Sequence, residues 1–274
     1  IYGILTQQNI GMLFIAGVLP GLLGLAMYMA VIYVIAVLKP EHAPRGTTGT
    51  ARERWESLPG VWPFMALFLV IIGGLYAGWF TATESACIAV LYAGALSMWV
   101  YREMNLKGLY TALLDTGKLS AVALFCVGTA SAFGWLLAYY QIPKALLENV
   151  SAWGMGPTTT GFFIAGVFLI VGCFLDAIPA IIIVGTILQP LAASAGMDPV
   201  HFAIVGIVSL AFGLVTPPYG LCLMISCAVA RVRMVTVLKD TLIMLVPMFL
   251  VLAATIVWPS LALFIPRLFP PGTL

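Results

Sequence analysis

Long apolar runs separated by short charged segments dominate this chain. The runs fall at about 12–38, 61–80, 83–101, 119–140, 159–193, 200–228 and 241–264. Each is long enough to cross or re-enter a bilayer, whose hydrocarbon core takes about 20 helical residues. The first polar interruption, residues 39–60, holds Lys39, Arg45, Arg52 and Arg54 with Glu41, Glu53 and Glu56. It reads as a solvated connecting loop with a short surface helix around Ala51–Leu58. A second basic cluster, Arg102, Lys107 and Lys118, brackets the amphipathic stretch Met104–Leu114, which reads as an interfacial helix over 102–118. A third, Arg231, Arg233 and Lys239, follows the run at 200–228.

The bias of Lys and Arg toward one face fixes the orientation. With 39–60 on the cytoplasmic face, 61–80 and 83–101 form a hairpin and 119–155 returns to the same side. The runs 159–193 and 200–228 then go out and back, and the C-terminus ends on the far side. Eleven of the twelve basic residues fall on one face, with Arg267 outside. The segment 119–155 fits either a re-entrant helical hairpin or two full crossings. The small polar stretch Gly128–Gly134 favours a hairpin tip, although such residues also suit a helix-packing face. The expected fold is an all-α polytopic membrane protein of six transmembrane helices, some broken, plus one re-entrant hairpin.

Composition sharpens the picture. The 274 residues are 62% hydrophobic and 8% charged, with a mean hydropathy of +1.11, too little charge for a water-facing surface. A net charge of +2 gives no reason for a nucleic-acid partner. Cys87, Cys126, Cys173, Cys222 and Cys227 lie in apolar runs without metal-ligand spacing, so all five are expected as small buried hydrophobes. Two histidines and ten acids so placed assemble no catalytic triad, phosphate loop or metal cluster, and no enzyme is expected. The start at Ile1, with no charged region preceding an apolar stretch, reads as a piece of something longer rather than a signal peptide.

The informative residues are those that cost free energy inside lipid. Asp176 stands in Phe174-Leu175-Asp176-Ala177-Ile178-Pro179, where Pro179 removes a backbone donor and collides with the Leu175 carbonyl. A broken helix with an intramembrane acid is expected there, and such a residue is a functional candidate. A second break is expected at Gly213-Leu214-Val215-Thr216-Pro217-Pro218-Tyr219-Gly220. There the prolines cannot donate, and the Val215 and Thr216 carbonyls with the Thr216 hydroxyl present oxygens suited to Na⁺; a plain proline kink is the alternative. Glu84, three residues after Thr81, reads as a helix-start carboxylate, and His201, after Asp198 and Pro199, as part of a capping turn.

Several of these stretches together resemble one family. Gly78-Trp79-Phe80-Thr81-Ala82-Thr83-Glu84-Ser85-Ala86, Ala130-Ser131-Ala132-Phe133-Gly134-Trp135-Leu136-Leu137, Phe174-Leu175-Asp176, Gly196-Met197-Asp198-Pro199-Val200-His201-Phe202 and Gly213 to Gly220 are similar to the large membrane subunit of TRAP (tripartite ATP-independent periplasmic) transporters. Ala82 departs from the proline usual before Thr-Glu. The resemblance implies the C-terminal half of an inverted-repeat elevator transporter in the bacterial inner membrane. It would import small carboxylates such as C4-dicarboxylates or sialic acids by Na⁺ symport, with a small four-helix membrane subunit and a periplasmic substrate-binding protein.

Carried onto this chain, the resemblance places substrate at Asp176, Ser131 and Thr129, and Na⁺ at Ser131, Gly134, Gly213, Thr216 and Pro217. It divides the chain into the last helix of a first repeat (1–38), the cytoplasmic loop (39–60), scaffold helices (61–101) and an interfacial arm (102–118). The transport-domain hairpin and broken helices (119–228) and a C-terminal scaffold helix (229–274) with a periplasmic end complete it. A first repeat with its own hairpin and cation site would precede Ile1; Pro20 with Leu23, Leu25 and Ala26 overlays Pro247 with Leu250, Leu252 and Ala253 as its trace. The competing readings are an ion-coupled carboxylate transporter of a related family that needs no binding protein, and a structural membrane subunit that carries nothing.

Overall fold

The structure, a computed structural model, describes residues 2–6, 8–38, 50–141, 156–217 and 220–268. In chain order the helices are α1 (Tyr2–Thr6), α2 (Ile10–Ala16), α3 (Val18–Leu38), α4 (Ala51–Tyr76), α5 (Ala82–Ala95, extended by a π-helical turn, Leu96–Val100), α6 (Leu106–Tyr139), α7 (Pro157–Phe174), α8 (Ala177–Ser194), α9 (Pro199–Gly213), α10 (Leu221–Ala230), α11 (Met234–Val257) and α12 (Ser260–Leu268). No strand occurs among the described residues.

Six helical stretches among these residues are long and apolar enough to cross a membrane: Ile10–Leu38, Thr83–Val100, Leu106–Leu137, Pro157–Phe174, Ala177–Ser194 and Met234–Val257. The protein is therefore an all-α polytopic membrane protein, with six candidate spans that differ in membership from the expected ones.

The chain divides into two compact units, one of Ile1–Val34 with Ala123–Leu268 and the other of Ile35–Val122 with Phe269–Leu274. In the second, α4 begins at Ala51, so the second half of the expected 39–60 loop is helical and continuous with the run at 61–80; residues 39–49 lie outside the described residues. The helix α5 starts on a reciprocal cap, in which Thr81 N–H donates to Glu84 Oε2 at 2.7 Å and Glu84 N–H donates to Thr81 Oγ1 at 3.3 Å. Ala82 takes the first helical position. The Tyr92 hydroxyl donates to the Pro63 carbonyl at 3.0 Å and ties α5 to α4.

Two expected boundaries move. The interfacial arm 102–118 and the run 119–140 form one helix, α6, of 34 residues, about 51 Å at 1.5 Å per residue. That exceeds a hydrocarbon core of about 30 Å. Its first turns carry Lys107 and the exposed pair Asp115–Lys118 at 3.0 Å, and the helix runs on past them without a break. The tip expected at Gly128–Gly134 is helical. No proline stands between Leu106 and Tyr139, and the Thr129 and Ser131 hydroxyls donate to the Phe125 and Val127 carbonyls at 3.0 and 2.8 Å. Small residues alone leave the internal hydrogen bonds intact, so nothing opens the backbone. A second arm would fall within 142–155, which lie outside the described residues.

The next segment forms a helical hairpin of its own. The expected single broken span 159–193 is instead α7 and α8, of 18 residues each. Pro157, Thr158, Gly196, Met197 and Asp198 line one cleft of about 160 Å³, so the start of α7 and the end of α8 meet at the same end. Leu175 takes an extended backbone, φ −110° and ψ 149°, so the chain reverses there rather than kinking.

Helices α7, α8, α9 and α11 bury a common core that includes Ile164, Phe168, Ala180, Leu188, Phe202, Val205, Leu252 and Ile256. A satellite cluster of Ala16, Val200, Ile204, Ala262 and Leu263 seats α2 and α12 on α9. Helix α11, from the expected C-terminal segment, thus packs against α7 and α9 of the expected 119–228 segment. Ile256 occupies the space a Cβ at Gly161 would fill, its Cγ2 only 2.8 Å from that position. The closest approach is between α7 and α9: a Cβ on Gly213 would stand 2.6 Å from the Leu169 carbonyl oxygen and 2.8 Å from Gly172 Cα.

Gly213→Ala should lower the protein's thermal midpoint in detergent, with a cost of about 1–3 kcal/mol for forcing the two backbones apart. Gly166→Ala, on α7 with nothing within 4 Å of its added Cβ, should leave the midpoint unchanged or raise it, because Ala outdoes Gly in a helix by about 0.5–1 kcal/mol. Equal midpoints for the two variants would dispose of the close contact.

Candidate functional site

Both predicted breaks exist. At the first, Asp176 is the N-cap of α8 and its Oδ1 accepts the Ala177 N–H at 2.8 Å. Pro179 occupies the third helical position, where its missing N–H costs nothing. Asp176 is exposed at the turn between α7 and α8, and one carboxylate oxygen is left over from the cap.

At the second break, α9 ends at Gly213 and α10 begins at Leu221; Pro218 and Tyr219 lie outside the described residues. The helical i to i−4 pattern means that Pro217 and Pro218 deprive the Gly213 and Leu214 carbonyls of donors, which corrects the expectation that Val215 and Thr216 lose them. Both deprived carbonyls find replacements: Thr216 N–H donates to Gly213 O and Cys222 N–H to Leu214 O, each at 3.0 Å. The Thr216 hydroxyl donates to Phe212 O at 2.7 Å, which leaves its lone pairs as acceptors. Gly220 has φ +48°, and a Cβ there would lie 3.1 Å from Thr216 O and 3.2 Å from Val215 O. The segment 214–217 is thus a half-buried cluster of hard oxygens on a turn that glycine alone closes comfortably.

The two breaks lie at one level. His201 and Thr158, near the starts of α9 and α7, line the same cleft, and Gly172 meets Gly213 near their ends, so α7 and α9 run parallel. Asp176 follows Gly172 by four residues and Thr216 follows Gly213 by three. The C-termini of α7 and α9 and the N-termini of α8 and α10 meet at this end, so their half-charges offset and the Asp176 carboxylate supplies the net negative charge. Such a place suits a cation.

The residues expected from 129 to 134 are not part of this arrangement. Thr129 and Ser131 are exposed, their hydroxyls return to carbonyls of α6, and a Cβ at Gly134 would meet nothing within 4 Å. The structure brings Gly213, Thr216 and Pro217 together at one turn, sets Asp176 at the same level, and leaves Ser131, Thr129 and Gly134 on an open helix face.

Two further expectations are settled by local geometry. Glu84 is a capping residue, as above. His201 does more than sit in a capping turn: Asp198 Oδ1 accepts the Val200 N–H at 2.8 Å, and the buried His201 ring donates from Nε2 to the Thr255 carbonyl at 2.8 Å, joining α9 to α11. The sequence signal was a lone imidazole on an otherwise apolar helix, which needs a partner wherever it is buried. Of the five cysteines, Cys173 and Cys227 are buried, Cys126 is half-buried and Cys87 and Cys222 are exposed, because in lipid an outward-facing thiol costs little; the expectation of five buried thiols is corrected.

Comparison with known proteins agrees with this architecture. The family model described as "Tripartite ATP-independent periplasmic transporter, DctM component" matches residues 1–261. The sialic acid TRAP transporter large permease protein SiaM of Vibrio cholerae is 33% identical over 269 residues, covering 98% of this chain and 62% of the relative. The C4-dicarboxylate TRAP transporter large permease protein DctM of Pseudomonas aeruginosa is 34% identical over 270 residues, covering 96% of this chain and 62% of the relative. The ectoine/5-hydroxyectoine TRAP transporter large permease protein UehC of Ruegeria pomeroyi is 34% identical over 266 residues, covering 97% of this chain and 61% of the relative. The chain spans about 62% of the length of the first two relatives. Transport permeases rather than enzymes surround it in sequence, and the chain belongs to the family of the tripartite ATP-independent periplasmic transporter, DctM component.

Proposed function

We propose that this chain is the membrane-embedded part of a Na⁺-coupled secondary transporter of the bacterial inner membrane. It imports small carboxylates, of the C4-dicarboxylate or sialic acid kind, delivered by a periplasmic binding protein, and works beside a small four-helix membrane subunit. The observation that carries the Na⁺ reading is the half-buried oxygen cluster at Thr216 and Pro217, at the level of the Asp176 carboxylate. The names of the sialic acid and C4-dicarboxylate relatives support the substrate class.

In this reading Na⁺ is held by the Thr216 hydroxyl, the Pro217 carbonyl and the second lone pair of the Gly213 carbonyl. Ser131 and Gly134 complete the shell when α6 moves in. The carboxylate substrate takes the space beside Asp176, Ser131 and Thr129, and binds where the ion offsets its charge. Coupling follows because Na⁺ stiffens the unwound turn, and substrate binds well only to the stiffened state. The unit containing the two breaks moves as an elevator against the scaffold helices of 61–101.

Charge orients the chain. With Arg102, Lys107, Arg231 and Arg233 cytoplasmic, α6 crosses once and the α7–α8 hairpin returns to the side it left. That exchange of crossing and hairpin preserves the parity of the expected topology, with the 39–60 loop cytoplasmic and the C-terminus periplasmic.

Thr216→Val in the complete transporter should raise the Na⁺ concentration needed for half-maximal uptake, while Thr216→Ser should leave it near the wild-type value. An unchanged Na⁺ dependence in Thr216→Val removes this residue from the ion site. Asp176→Asn keeps an N-cap side chain but discards the charge, and should cut uptake at least tenfold without lowering the thermal midpoint by more than the few tenths to about 1 kcal/mol a cap is worth. Full uptake in Asp176→Asn and Asp176→Ala would reduce the first break to a structural turn.

A further inference from the structure

The turn between α10 and α11 is Arg231-Val232-Arg233, with all three residues exposed. Arg231 closes α10 in the left-handed region, φ 56° and ψ 35°, which favours glycine over a residue with a Cβ. Its N–H donates to Ala228 O at 3.2 Å and that of Val232 to Cys227 O at 3.0 Å, so the backbone bonds of this cap do not need an arginine. No acidic residue occurs between Asp198 and Asp240, and Asp240 lies beside Lys239 two turns into α11.

The depth of this turn is set by α11. Its 24 residues span about 36 Å, slightly more than a hydrocarbon core of about 30 Å. Arg233 caps one end, and Trp258, 60% exposed, follows the other. Aromatic and basic residues at opposite ends of one span place the arginines at headgroup depth. Val229 and Val235, on either side of the turn, are each 81% exposed, and Ile225, one turn before Val229, is 61% exposed. Two guanidinium groups thus sit inside an apolar collar with no carboxylate partner among the described residues.

We propose that the Arg231–Arg233 turn seats the phosphate of an anionic glycerophospholipid, whose acyl chains lie along Ile225, Val229 and Val235. Charge complementarity selects the lipid: guanidinium meets phosphodiester, and the collar excludes a purely aqueous anion. The lipid holds the far end of α10, the ten-residue helix that begins at the 214–220 break, so the bilayer's anionic content bears on that break. The proposal does not depend on which substrate or ion is carried.

The complete permease in nanodiscs of equimolar phosphatidylcholine and phosphatidylglycerol, released and weighed by native mass spectrometry, tests it. Two basic side chains at an anionic surface give a preference of roughly 30-fold, so retained lipid should be strongly enriched in phosphatidylglycerol over the bulk ratio. Arg231→Gln/Arg233→Gln should bring the ratio to bulk, Arg231→Lys/Arg233→Lys should keep most of the enrichment, and Arg267→Gln, in the last turn of α12, should keep all of it. Arg231→Gly, which suits the left-handed turn, should reduce the enrichment while preserving or raising the thermal midpoint. Undiminished enrichment in the double glutamine variant or in Arg231→Gly, or no enrichment in the wild type, overturns the proposal.

Discussion

The approach of α7 to α9 at Gly172 and Gly213 is the contact on which the rest of the described transport architecture depends. A Cβ on Gly172 would stand 2.8 Å from the Leu210 carbonyl oxygen, and one on Gly213 closer still to Leu169. Only hydrogen at both positions lets the two backbones meet, and the meeting sets both helix ends at one level. Asp176 and Thr216, 40 positions apart in the sequence, thereby share a plane. Without that contact the α7–α8 turn and the α9–α10 turn would be two unrelated interruptions.

Lipid imposes the second constraint. A backbone group left without a partner in hydrocarbon costs several kcal/mol, so a helix opens at depth only where protein or a polar cavity can answer it. The 214–220 break meets that requirement with its own bonds, Thr216 N–H to Gly213 O and Cys222 N–H to Leu214 O. At the α7–α8 turn a carboxylate caps the returning helix. In α6 no proline removes a donor, and the small residues from Gly128 to Gly134 stay helical. Helix α9 with 15 residues and α10 with 10 together match the 24 of α11. The break therefore falls inside the bilayer's thickness rather than at its edge, at a depth of about 22 Å from the start of α9.

Much of this was legible in the residues, for identifiable reasons. Proline acts locally, so Pro179 and Pro217 marked both breaks correctly. Asp198 with Pro199, and Thr81 with Glu84, announced helix starts because caps are short-range. The turn at Asp176 was read as a break within one span rather than a reversal, because direction is not a local property: nothing in Leu175 and Asp176 says whether the chain kinks onward or reverses, and that choice is made by what α8 packs against. The same limit hid the partnership of His201 with Thr255, 54 positions away, and the docking of Ile256 into the hollow at Gly161. The turn at Thr216 was foreseen, but the carbonyls that lose their donors lie two positions earlier than a reading of the motif alone suggested.

Hydrogen exchange along the complete permease, compared in Na⁺ and in an equal concentration of choline, tests the central claim most directly, because an unwound turn that binds an ion must open less often when the ion is present. The account predicts slower exchange in Na⁺ for the amides from Leu214 to Cys222, with Leu175 to Ala177 following, and no change in the middle of α11. Exchange at the 214–222 turn that is the same in both salts would contradict it.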